Sequence, residues 1–134
     1  MNKIDEIFND SYERCLARSD FFDRFYDNYI GANEFVAKKF AHTDLDRQKN
    51  VLKASLHMLM ALRTTDAEDA VSYFRKIGMV HSRKGQDIPP EMYDVWMSTL
   101  LQTVQECDDR YDARIEMAWR KLLSGGIEIM KSMY

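Results

Sequence analysis

Tyr26, Gln48 and His81 carry chemistry that their surroundings do not call for. Each interrupts an apolar run spaced as on a helix. Tyr26 lies among Phe22, Phe25, Tyr29 and Ile30. Gln48 falls three residues after Leu45 and four before Leu52, and His81 follows Ile77 by four, in phase with Val71 and Phe74. A polar group on a buried face loses its water and needs a partner. A neutral imidazole at the end of an apolar face can ligate an iron whose other axial position stays open, while a phenol and an amide can donate hydrogen bonds to what binds there. That is the chemical outline of a gas-binding haem. Each residue also has a plainer use: a core histidine with its bonds satisfied, a core tyrosine whose hydroxyl reaches a carbonyl, a glutamine turned outward.

For the three to meet, three different helices must converge. Ile4, Ile7, Phe8, Cys15 and Leu16 recur at helical intervals, and Ser19 stands where a cap for the next helix belongs. The second helix is expected from Asp20 to Ile30, closed by Gly31. Short helical turns over Ala32–Phe40 lead into a corner, where Thr43 or Asp44 caps a long helix running to about Leu62. Its stripe is Leu45, Leu52, Leu56 and Leu59. After a polar connection from Thr64 to Asp69 comes the helix that ends at His81. The Pro89-Pro90 pair then opens a helix carrying Tyr93, Trp96, Met97, Leu100 and Val104. The last helix is expected from about Asp109 to Met133, with Tyr111, Ile115, Trp119, Leu122, Gly126 and Ile129 in phase. No stretch alternates as a strand does, so the expectation is an all-α fold of six or seven helices and no sheet.

Composition narrows the rest. The 134 residues suit one domain with its own core, and 46% hydrophobic residues with only five Gly and two Pro describe a folded, compact chain. The net charge is −3 with acids and bases interleaved, which excludes the electrostatic footprint of a nucleic-acid binder. No apolar run has signal-peptide or membrane-span length, so a cytoplasmic protein without a membrane partner is expected. Cys15 and Cys107 lack partners at metal-binding spacing and read as buried free thiols. Of the other histidines, His57 lies nine residues after Gln48 and so on the opposite side of that helix, while His42 sits at the corner. Trp96, Trp119 and the nine methionines read as core or pocket lining.

Phe25-Tyr26-Asp27, Phe40 fourteen residues after Tyr26, and Asp44-Leu45-Asp46-Arg47-Gln48 together resemble bacterial globins. His81, then Ile88-Pro89-Pro90-Glu91-Met92-Tyr93, is similar to the proximal histidine, corner and next helix of flavohaemoglobins and globin-type haem sensors, and Ala118-Trp119 resembles a pair in their last helix. The likeness runs in order from about Phe22 to Trp119. The chain departs from flavohaemoglobins in a His81–Ile88 interval about two residues longer and in lacking their flavin and nicotinamide domain, and from truncated globins in lacking their glycine pairs.

The resemblance implies a globin fold around one haem b (iron protoporphyrin IX), with His81 as the metal ligand. Phe40, Gln48, Leu52, Ile88 and Tyr93 would complete the cofactor site, and Tyr26 and Gln48 would face the ligand. Arg83 and Lys84 would pair with haem propionates or remain solvated charges. It implies reversible binding of O2, NO or CO, with NO dioxygenation only if a separate reductase supplies electrons, and no catalytic residue of the protein's own. Two other readings stand beside it: a gas sensor that signals to a partner, and a haem-free helical interaction module.

Overall fold

The computed structural model describes residues 2–64 and 67–134; Thr65 and Asp66, within the expected polar connection, lie outside the described residues. Seven helices follow one another: α1 Lys3–Leu16, α2 Phe21–Ala32, α3 Glu34–Phe40, α4 Leu45–Ala61, α5 Glu68–Val80, α6 Glu91–Cys107 and α7 Ala113–Ser132. There is no strand among the described residues, as the periodicity predicts. No helix is long and apolar enough to cross a membrane.

Helix starts follow side-chain capping. Asn2 accepts from Asp5 N, Asp44 from Arg47 N and Asp112 from Ile115 N, each satisfying a backbone donor that the first turn cannot. Three boundaries differ from expectation. Asp20, not Ser19, precedes α2, and its side chain makes no capping bond. Gly31 stays inside α2, because the chain leaves the helix at Asn33, which is extended (φ −160°, ψ 132°) and whose side chain accepts from Phe35 N and Val36 N to start α3. One asparagine thus ends α2 and begins α3. Finally, α7 begins at Ala113, so Tyr111 precedes it; Asp112 is the better cap, and the Tyr111 hydroxyl reaches Glu116 at 2.7 Å.

The core joins Phe8 and Cys15 of α1, Phe25 of α2, Leu56 of α4, Phe74 of α5, Leu100 and Val104 of α6, and Trp119 and Leu123 of α7. Helix α2 packs chiefly on α6, and α5 chiefly on α7. Two glycines allow the second approach. A Cβ on Gly78 would lie 3.0 Å from the Met130 Cα and carbonyl oxygen, and one on Gly126 would lie 2.7 Å from a Leu59 methyl and 3.0 Å from the Phe74 ring. Both cysteines are buried free thiols, as expected.

At the end of the bundle where α1 meets the α6–α7 connection, one buried carboxylate organises a polar cluster. Asp108 is 1% exposed. It accepts from Ser11 Oγ at 2.6 Å, from Arg14 Nε at 2.6 Å and Nη2 at 3.0 Å, and from Arg110 N at 3.0 Å. Trp119 Nε1 donates to Ser11 Oγ at 2.9 Å, which ties α7 into the same cluster. Burial by itself would raise the Asp108 pKa; the bonds from Arg14, Ser11 and the Arg110 amide outweigh it and hold the carboxyl below its ordinary value.

Asp108→Ala is expected to destabilise the fold by about 3 kcal/mol in urea unfolding, because Ser11 and Arg14 would be left without their acceptor. Gly78→Ala should lower stability by about 1 kcal/mol, although alanine favours helix, because a backbone neighbour has to move; an unchanged or raised midpoint would refute the close α5–α7 contact.

Candidate functional site

Helices α2 to α7 enclose a cavity of about 780 Å³ whose wall contains all seven residues expected at the site: Tyr26, Phe40, Gln48, Leu52, His81, Ile88 and Tyr93. They come from four helices and the α5–α6 connection, so only the packing of α2–α6 brings them together. His57 is exposed on the far side of α4 with its ring edge-on to Tyr12, and His42 is exposed at the corner; neither lines the cavity. His81 is the cavity's imidazole.

His81 caps α5, its amide donating to the Ile77 carbonyl at 3.0 Å. Its Nδ1 lies 3.1 Å from the Tyr93 hydroxyl, one turn into α6. That bond fixes the ring and leaves Nε2 as the nitrogen available to a metal. Burial lowers the imidazole pKa and so favours the neutral form, and burial pushes the Tyr93 phenol up to about 12. The long interval to Ile88 is taken up by a folded turn. Gly85 N and Asp87 N both donate to Ser82 O, Gln86 N donates to Val80 O, and Ile88 N returns to the His81 carbonyl at 2.8 Å. Asp87 takes the left-handed conformation (φ 49°) that the turn requires, and a Cβ on Gly85 would meet the Val80 carbonyl oxygen at 2.2 Å. The extra residues loop outward and Ile88 still reaches the cavity.

Tyr26 is 5% exposed, and its hydroxyl donates to the Gln48 backbone carbonyl at 3.0 Å. The plainer use of that tyrosine is therefore present in the fold, and it also locks α2 to α4 beside the cavity. Its phenol pKa is raised by burial, with a smaller push from Tyr29, so it stays a neutral donor. The Gln48 side-chain amide makes no hydrogen bond among the described residues and lines the cavity with its donor capacity unspent. Phe40 packs edge-on against both Tyr26 and Tyr29, at 5.9 Å between centroids in each case.

The sequence pattern missed part of the wall. Leu123, Ile127 and Met130 of α7 line the cavity, in a row beside the Leu122, Gly126 and Ile129 stripe that the periodicity singles out. Spacing alone could have offered either row; packing against α4 and α5 decides. The wall also holds three cations, Lys39, Arg47 and Lys76, and no carboxylate. Arg83 and Lys84 are exposed and do not line it; Arg83 lies over the Tyr134 ring, 4.8 Å from its centroid.

Neither the known family models nor the curated proteins contain a match to this chain. A solved structure does: a Pseudomonas aeruginosa protein, structurally highly homologous to a human haemoglobin, is 37% identical, with 98% of each chain covered and a TM-score of 0.89. The chain belongs to the bacterial globins. In this globin the all-α architecture of seven helices is the one the resemblance implies, and the bond between His81 and Tyr93 is a contact that the spacing did not reveal.

Because the folded globin prefers neutral His81, the unfolded chain binds the additional proton as pH falls. Stability is fully present above about pH 6.5 and declines below it, until the lower pKa of the folded imidazole is reached. The unfolding free energy of the cofactor-free protein should therefore fall between pH 7 and 5, less steeply in His81→Leu. Equal slopes would contradict the assignment of a buried neutral imidazole.

Proposed function

We propose that this globin holds haem b in the cavity, with His81 as the iron ligand, and reversibly binds a diatomic gas such as O2, NO or CO. The observation that carries the reading is a neutral imidazole, pinned through Nδ1 by Tyr93, in the wall of a largely apolar cavity of about 780 Å³. The residues fit the group. The volume lies in the upper part of the roughly 300–1,000 Å³ range of small-molecule sites. The wall is aromatic and aliphatic, as a porphyrin face needs, and its cations with no carboxylate suit a cofactor bearing two carboxylates. Haem would supply an iron able to bind a diatomic gas, and His81 is the residue that would hold it.

The chain's own residues would do the rest. His81 offers Nε2, and the Tyr93 hydroxyl, accepting from Nδ1–H, holds the required tautomer and strengthens the ring as a donor. Phe40, Leu52 and Ile88 exclude water from the pocket. Gln48 donates from its free amide to the ligand. The Tyr26 hydroxyl can turn from the Gln48 carbonyl toward the ligand, giving up a bond worth about 1 kcal/mol for one to a more negative acceptor. With electrons from a separate reductase, the same pocket supports consumption of NO by dioxygenation.

Absorption spectra of the purified protein in ferric, ferrous and CO-bound forms test the reading directly. A Soret band is expected, with His81→Ala losing it or shifting it. Failure of the wild-type protein to take up haem when haem is ample would refute the proposal and favour a haem-free interaction module. In the loaded protein, Gln48→Leu and Tyr26→Phe should each speed O2 dissociation about tenfold or more, the loss of a hydrogen bond of about 1.5 kcal/mol. An unchanged rate in Tyr26→Phe would assign that hydroxyl wholly to the Gln48 carbonyl.

A further inference from the structure

The cations at the mouth exceed what a bound cofactor accounts for. Acids outnumber bases in the chain, 22 to 19, yet the cavity wall carries Lys39, Arg47 and Lys76 and no Asp or Glu. None of the three is in an ion pair among the described residues. The acids near them in sequence keep their charge but do not line the wall. Asp44 accepts from the Arg47 backbone amide, Asp46 pairs with Lys49, and Asp87 accepts from the Tyr134 hydroxyl. Arg75, next to Lys76, and Lys84, in the turn that Lys39 touches through the Gln86 carbonyl at 2.9 Å, are exposed and add to the same sign. Two cofactor carboxylates would offset two of the three charges in the wall and leave the third.

Between these cations the rim is apolar. Val51 and Val80 line the cavity and are 42% and 53% exposed, and Met79 beside Val80 is 58% exposed. An apolar centre with a ring of one charge is the make-up of a transient protein interface, in which charge steers the approach and the apolar patch excludes water on contact. No acid among the described residues lines the cavity, and many lie on α1 and around the α6–α7 connection.

Resting on the haem reading, we propose that the mouth of the cavity docks an acidic one-electron carrier protein, such as one with an iron–sulfur cluster. The step would be a one-electron transfer in which the carrier is oxidised and the bound cofactor reduced, with no bond made or broken and no proton required. Steering of this kind raises association rates by about 10- to 1,000-fold and is screened within roughly 10 Å at 0.1 M salt.

The test is stopped-flow reduction of the haem-loaded ferric protein by two one-electron donors of opposite charge: reduced plant-type ferredoxin, which is acidic, and the methyl viologen radical cation. With ferredoxin the rate should fall at least tenfold between 10 mM and 500 mM salt. The combined reversal Lys39→Glu, Arg47→Glu, Lys76→Glu should slow ferredoxin at least tenfold and speed the viologen, whereas Lys121→Glu, exposed on α7, should change neither. If the triple variant loses its Soret band, Arg75→Glu with Lys84→Glu serves instead, with the same pair of sign-opposed changes expected, about threefold each. A ferredoxin rate independent of salt overturns the proposal. So does slowing of both donors alike, which would mean that the cations serve only the cofactor, and so does a salt-sensitive dimer that closes the mouth with a second copy. A wild-type protein without a Soret band defeats the haem reading itself, and so is told apart from a loaded protein that ignores charge.

Discussion

Where α5 ends and α6 begins, a single imidazole has to be aimed, and much of the molecule is arranged around that demand. His81 caps its helix, one residue past the last helical one, and the bond from its Nδ1 to the Tyr93 hydroxyl fixes its ring. To make the bond, α5 and α6 must lie at a set spacing although seven residues separate His81 from Pro89 in a turn. The Ser82–Asp87 turn closes on itself, and two side chains from distant elements hold it: Lys39 on the Gln86 carbonyl and Tyr134 on the Asp87 carboxylate. On its other face α5 is drawn onto α7 through Gly78. A small ring thus inherits its orientation from three helices and two straps.

The two ends of the bundle handle polar burial in opposite ways. Around Asp108 every lone pair in use has a donor, so a charge can be buried and the cluster acts as a rigid clamp for α1, α6 and α7. Around the cavity, polar capacity is left unused: Nε2 of His81 and the amide of Gln48 face a largely apolar space with no partner among the described residues. Leaving such groups unpaired costs stability in a protein without a ligand, and that cost is what supports the proposed binding site. The Tyr26 hydroxyl stands between these cases, paired with a carbonyl yet within the same wall.

Most of the fold was legible from periodicity and capping. The helical stripes, the corner after Phe40 and the Asp44 cap all follow from local chemistry, and the three interrupting residues identified the pocket. The misjudged boundaries are those where two local signals compete. Gly31 reads as a helix stop, but Asn33 with its side-chain acceptor ends α2 and starts α3 in one step. Tyr111 is in phase with α7, but Asp112 caps better and the helix begins after it. On α7 the stripe marked one row when the buried face holds two, because a helix wedged between a core and a cavity buries a face broader than a single stripe.

By itself the amino-acid sequence determined which residues could do chemistry, on which helices they lie, and that the chain is helical throughout, since these depend on side-chain type and spacing within a turn or two. Only the tertiary structure decided which partner each of them has. That Tyr93 holds His81, that Tyr26 donates to the Gln48 carbonyl, and that the mouth is cationic with no carboxylate in its wall are consequences of how helices far apart in the chain pack. Hydrogen bonds and charges act over a few ångströms in space. Spacing along a helix is silent about neighbours from another one.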